Sequence, residues 1–165
     1  MYFYIEVAHT QHRYLSSRDN KIVIHRIEIG LLQQWKLVES GDEDFVFIKP
    51  DRKDNLVLLS PVTCDAQATL GQLEAVDQDI AKWRLIPVEN EGGNGYVGAK
   101  EHLGCMFIVP KLEPNRRGHK PEAPHHELAA SQQSTNNNTE VVIFGHKGVG
   151  INVMEPRNHM WTIHT

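Results

Sequence analysis

Cysteine is almost missing from this chain of 165 residues, with Cys64 and Cys105 the two present. They admit one disulfide or two separate thiols, and either outcome excludes a scaffold stapled by several bridges. Long apolar runs are missing too: nothing approaches the roughly 20 residues that a membrane-spanning helix needs. The opening stretch, MYFYIEVAHTQHRY, has no basic segment leading into an apolar one. No signal peptide is therefore expected, which for a full-length chain implies a cytoplasmic or non-classically released protein. Positive charge is in deficit, with a net charge of −4. The one basic cluster, Arg116–Arg117 with Lys120, is short and interrupted by Glu122. A partner recruited through nucleic-acid phosphates is thus disfavoured. What remains is ordinary globular material, 40% hydrophobic with a mean hydropathy of −0.42. It suits a single domain over 1–165 with one core.

Against that background three tryptophans stand out, each opening the same short apolar pattern: Trp35-Lys36-Leu37, Trp83-Arg84-Leu85 and Trp161-Thr162-Ile163. The first two lie 48 residues apart and the last two 78 apart. Between the last two runs Glu113 to Thr139, 27 residues without valine, isoleucine, methionine or an aromatic. Read as a flexible insertion that cannot fill a core, its removal brings the second spacing to 51. The pattern is then a threefold repeat over about 1–42, 43–92 and 93–165, with the insertion 113–139 in the third copy.

Short apolar or β-branched runs precede each tryptophan. They are Tyr4–Val7, Tyr14-Leu15 and Ile22–Ile24 in the first copy, and Phe45–Ile48 and Leu56–Leu59 in the second. The third copy has Cys105–Val109, Val141–Phe144 and Ile151–Met154. Gly, Pro, Asn and Asp punctuate them, as in all-β domains. Ala66 to Trp83 competes, because Leu70, Leu73, Val76 and Ile80 fall near helical spacing. Its place in the repeat favours strands, giving about twelve in all.

Three repeats of about fifty residues, each ending in a tryptophan strand, resemble the β-trefoil. Gln33-Gln34-Trp35 is similar to the Gln-x-Trp motif of its ricin-B-type lectin branch. The matching residues of the other copies are Ala81-Lys82-Trp83 and His159-Met160-Trp161, so one motif of three agrees in letters. The resemblance implies an all-β fold with Trp35, Trp83 and Trp161 in a common core. It also implies a carbohydrate-binding, non-enzymatic protein, with glycans or glycoconjugates as partners and no cofactor.

Galactose-binding members of that branch use an early aspartate, a loop aromatic and an asparagine just before the motif. Here the asparagine position holds Leu32, Ile80 and Asn158. The third copy, which has the asparagine, lacks the acid, since no aspartate follows Asp79. No copy holds the full set. Any glycan site must therefore draw on other polar turn residues: Arg18, Asp19, Asn20 and Gln33 in the first copy, or Asn152, Arg157 and Asn158 in the third. The same residues also suit ordinary turns. Divergence among the copies predicts fewer than three active sites, with a homodimer as one route to avidity.

Other signals are weak. His119, Glu122, His125, His126 and Glu127 sit in the insertion without the short fixed spacing that zinc requires, so no metal is expected. The run Gly145–Gly150 lacks the Gly-Lys-[Ser/Thr] ending of a phosphate loop and reads as a turn. Asn137-Asn138-Thr139 is a glycosylation acceptor only in a secreted chain. No Ser, Asp, His or Cys sits in a recognisable catalytic setting, so no enzyme is expected. Two alternatives to the lectin remain. One is a β-trefoil protease inhibitor acting through the 113–139 loop; the other is the recognition module of a toxin or larger assembly.

Overall fold

A computed structural model describes residues 1–63, 65–88, 104–111, 126–145 and 157–165. Among these the chain forms twelve strands and short 3-10 turns, with no α-helix. The first copy gives β1 (Tyr4–Val7), β2 (Tyr14–Arg18), β3 (Lys21–His25) and β4 (Trp35–Glu39). The second gives β5 (Val46–Pro50), β6 (Leu56–Leu59), β7 (Thr69–Gln72) and β8 (Trp83–Pro87). The third gives β9 (Met106–Pro110), β10 (His126–Ala130), β11 (Thr139–Gly145) and β12 (Trp161–His164).

Pairing closes these strands into a barrel and a cap. β1 pairs with β12, β4 with β5 and β8 with β9, all antiparallel. Three matching bridges complete the ring: Phe3 opposite Trp35, Val46 opposite Trp83, and Met106 opposite Trp161. Closure leaves the barrel no open edge along which another chain could add. The hairpins β2–β3, β6–β7 and β10–β11 form the cap, where β3 meets both β7 and β11. This is the β-trefoil topology that the repeat implies.

The threefold pattern reaches individual side chains. Leu15 faces Ile24, Leu58 faces Leu70, and Leu128 faces Ile143 across the cap hairpins. In the barrel, Leu37 faces Ile48, Leu85 faces Ile108, and Ile163 faces Ile5. Every tryptophan is sealed from solvent. Each donates its indole N–H to a cap-strand carbonyl: Trp35 to Leu15 at 2.9 Å, Trp83 to Leu58 at 3.0 Å, and Trp161 to Leu128 at 3.0 Å. A buried N–H without a partner would be costly, so the same contact that satisfies the indole locks barrel to cap.

One expectation needs correction. Residues 126–139 do not belong to a flexible insertion: β10 is buried at all five positions and pairs with β11 over its full length. The strand escapes notice because it fills its space with one leucine and two alanines instead of large β-branched residues. The remainder of the expected loop, 113–125, and the expected strand Ile151–Met154 lie outside the described residues, as do Cys64 and residues 146–150. The helical pattern after Ala66 gives way, as the repeat favours, to β7, followed by 3-10 turns at Leu73–Ala75 and Gln78–Ala81. Leu70 enters the main core, while Leu73, Val76 and Ile80 pack on a separate cluster around Phe47, Val57 and Leu59. A Cβ at Gly71 would meet Leu59 Cδ1 at 2.5 Å, so a larger residue there would make the Leu59 side chain shift.

An ion network ties the second repeat to the start of the third. Asp42 accepts hydrogen bonds from Lys82 Nζ at 2.8 Å and from Lys111 Nζ, and both lysines also reach Asp79. The Lys111 and Lys82 hydrogen bonds lower the Asp42 pKa from 3.8 to about 2. A carboxylate favoured in the folded state stabilises the protein above its unfolded pKa, and that contribution fades as pH falls through the folded value. Asp42→Asn should therefore flatten the stability profile between about pH 4 and pH 2, measured by denaturant melts across that range. An unchanged acid limb would refute the assignment.

Candidate functional site

The loop from Arg26 to Gln34, between β3 and β4, projects beside a concave surface of the first repeat. Its tip is a turn closed by Leu31 N–H to the Glu28 carbonyl at 3.4 Å, with Gly30 at φ +97° in the third position. That geometry requires glycine and throws Ile29 outward at the corner. Gln33 lies beneath, 5% exposed, and uses its whole amide on the loop. Its Oε1 accepts from Glu28 N–H at 2.9 Å, while Nε2 donates to Arg26 O at 2.7 Å and Ser16 Oγ at 3.0 Å. Asn137 Oδ1 accepts from Arg26 N–H at 3.0 Å, anchoring the loop's first residue to the β10–β11 turn.

This braced loop forms one wall of a cleft of about 340 Å³, faced by Tyr4 of β1 and Arg52 of the β5–β6 turn. Gln34 Nε2 donates to the Tyr4 hydroxyl at 2.9 Å. Glu28 is half-exposed; its carboxylate accepts from Arg18 Nη2 at 3.2 Å and stands 3.8 Å from His25 Nε2. The cleft thus combines a carboxylate, a guanidinium, an amide, a phenol and apolar surface from Ile27 and Ile29.

Of the residues expected to bind, Arg18 reaches this region through Glu28, and Gln33 supports it from below. Asp19 and Asn20 instead close the β2–β3 hairpin, both at positive φ as the tightest hairpin turns require. The Asn20 carbonyl accepts from Leu70 N–H at 2.8 Å, fixing the neighbouring hairpin. In the third repeat Asn158 is 7% exposed, and its Nδ2 donates to Ala130 O at 3.0 Å. Arg157 opens the 3-10 turn Arg157–His159, and Asn152 lies outside the described residues. The two candidate sets are therefore not drawn into one site.

Sequence reasoning passed over Tyr4, Glu28, Gln34 and Arg52. Gln34 carried a signal, as the middle residue of the motif, but Arg52 comes from the next repeat and no local pattern marks it. It also passed over Phe144, 41% exposed, whose ring packs edge-on against His159 at 5.6 Å. Of the histidines and acids weighed as metal ligands and set aside, His126 and Glu127 are buried in β10, and His119, Glu122 and His125 lie outside the described residues. Among the described residues no group of three potential ligands gathers. Of the 113–139 loop on which an inhibitor would depend, the part from 126 onward is strand and turn.

No protein-family model matches the sequence, and no curated protein matches it. Solved structures do. The designed three-fold symmetric protein ThreeFoil superposes with a TM-score of 0.68 at 16% identity, over 99% of this chain and 98% of that one. The Macrolepiota procera ricin B-like lectin, solved with lactose, gives 0.61 at 12% identity over 98% and 94%. SeviL, solved with asialo-GM1 saccharide, gives 0.58 at 13% identity over 99% and 96%. The closed six-stranded barrel, the three cap hairpins and these superpositions agree: the chain has the β-trefoil fold of the ricin B-like lectins.

Proposed function

We propose that the protein is a lectin and that the Tyr4–Glu28–Gln34–Arg52 cleft takes a saccharide. The observation that carries this reading is the cleft's mixture of groups. A sugar offers hydroxyls that need both donors and acceptors, together with an apolar C–H face. Glu28 supplies an acceptor held in place by Arg18, Arg52 supplies a donor, and the Gln34 amide bound to Tyr4 supplies a fixed polar rim. Tyr4 and Ile27 give surface for the C–H face. The solved neighbours with lactose and asialo-GM1 saccharide support the same class of ligand. In this reading Gln33 acts as a positioning residue, because its amide holds the loop that walls the cleft.

A glycan array probed with labelled protein tests the proposal. Selective, sugar-competable binding is expected, and the double substitution Glu28→Gln with Arg52→Ala should weaken it at least about tenfold, the cost of two polar contacts. Both side chains are at least partly exposed, so the variant should fold normally. Binding that survives it would move the site elsewhere, and a blank array from folded protein would end the lectin reading.

A further inference from the structure

Six large hydrophobic side chains stand exposed among the described residues: Met1, Tyr2, Ile27, Ile29, Val62 and Phe144. Three of them gather on one side of the molecule. Ile27 and Ile29 line the first-repeat cleft, 56% and 103% exposed. Tyr2 is 41% exposed and packs edge-on against Tyr4 of the same cleft at 5.9 Å. A single exposed apolar side chain needs no explanation, but several gathered on one face mark an interaction surface.

The position is fixed. Gln33, Asn137 and the Gly30 turn hold the loop through five hydrogen bonds, so Ile29 cannot fold back onto the surface. Two cations flank the tip, and Glu28, the carboxylate between the two isoleucines, is paired with Arg18. Arg26 precedes Ile27 directly, and Arg52 faces both isoleucines across the cleft. Both guanidiniums are exposed, and neither has an ion-pair partner among the described residues. The patch therefore asks for an occupant with apolar chains and anionic groups a few ångströms apart.

We infer that this face docks on a phospholipid bilayer. Ile29 and Ile27 enter the outermost acyl region, Arg26 and Arg52 meet headgroup phosphates, and Tyr2 sits at the polar boundary where amphipathic rings are stable. A convex apolar tip with a cationic collar suits a surface that yields to it, since lipid can close around a protruding side chain. The chain's net charge of −4 opposes general adsorption to an anionic surface, so binding is confined to this local patch. The inference goes beyond the saccharide reading and does not depend on it.

The test uses vesicles of phosphatidylcholine with a minority of phosphatidylserine, free of any glycolipid, so that no sugar contributes. The protein should sediment with them. Ile29→Ser should lower the partition coefficient about tenfold, and Ile27→Ser with Ile29→Ser further still, from the apolar area withdrawn. Val62→Ser, an exposed residue on another loop, should bind as the parent does. Added salt should weaken binding through the arginines. Failure of the parent to sediment would overturn the inference, as would equal binding by the double variant. So would a dimer in vesicle-free solution that the double variant converts to monomer, because the face would then belong to a second copy. The glycan array, run on the parent and on Ile29→Ser, a residue given no sugar contact, reports on the saccharide reading separately.

Discussion

Replacing Trp83 by alanine should cost about 4 kcal/mol of folding stability, within the range for removing a large aromatic from a closed core. Against a total of about 5–15 kcal/mol for an ordinary domain, that is a large fraction. Two effects combine. The fully buried indole leaves a cavity among residues that cannot collapse into it, because barrel closure fixes the strands around it. The Leu58 carbonyl also loses its donor, and with it one of the three equivalent links between barrel and cap. Trp83→Phe separates the effects, since it keeps most of the ring and removes the N–H; about 2 kcal/mol is expected, mainly the desolvated carbonyl. Thermal melts should show the alanine variant lower by roughly 10 °C. A loss below about 1 kcal/mol for alanine would mean that the tryptophan is not part of the frame.

That frame was legible in the sequence, and for a physical reason. Repetition of large side chains at matching positions marks a symmetric core, and tryptophan is rare enough for three copies to be noticed. Eleven of the twelve strands fall where short apolar runs or the repeat's spacing place them. The exception is β10, and it shows the limit of reading hydrophobicity by bulk. Its Leu128 is the partner of Trp161 in the way Leu15 serves Trp35 and Leu58 serves Trp83. Yet its neighbours are histidine, glutamate and alanine, set in a stretch poor in every other core residue. A strand that contributes one large side chain and two small ones has no periodicity to detect.

The candidate site was less legible, because polar letters do not say which way they face. Gln33 and Asn158 look like ligands in the sequence, and in the structure both are buried with amide groups hydrogen-bonded within the fold. Asp19 and Asn20, named from the sequence as polar turn residues, form the left-handed corner of a hairpin. The cleft that does open to solvent draws Tyr4, Glu28, Gln34 and Arg52 from two repeats, a combination that only the barrel brings together.

The three copies of the motif also show what happens when its first letter changes. Gln33 holds the loop of its own repeat. Ala81, in the same place, makes no such loop and packs against Phe47, Val57 and Leu59. His159 does something different again: its Nδ1 lies 3.0 Å from Glu127 Oε1, with the side chains 4% and 0% exposed. A hydrogen-bonded pair this deep is costly to break from one side, because the remaining carboxylate keeps its desolvation penalty. His159→Ala should therefore destabilise the fold by about 3–5 kcal/mol. Glu127→Gln in that background should recover part of the loss, since a neutral amide is cheaper to leave in place than a carboxylate. A double-mutant cycle by denaturant unfolding gives the coupling between the two directly. Additive losses would show that the two side chains stand close without sharing energy. A coupled result would mean that the third repeat has replaced the glutamine brace with an acid–imidazole pair joining the turn before Trp161 to β10.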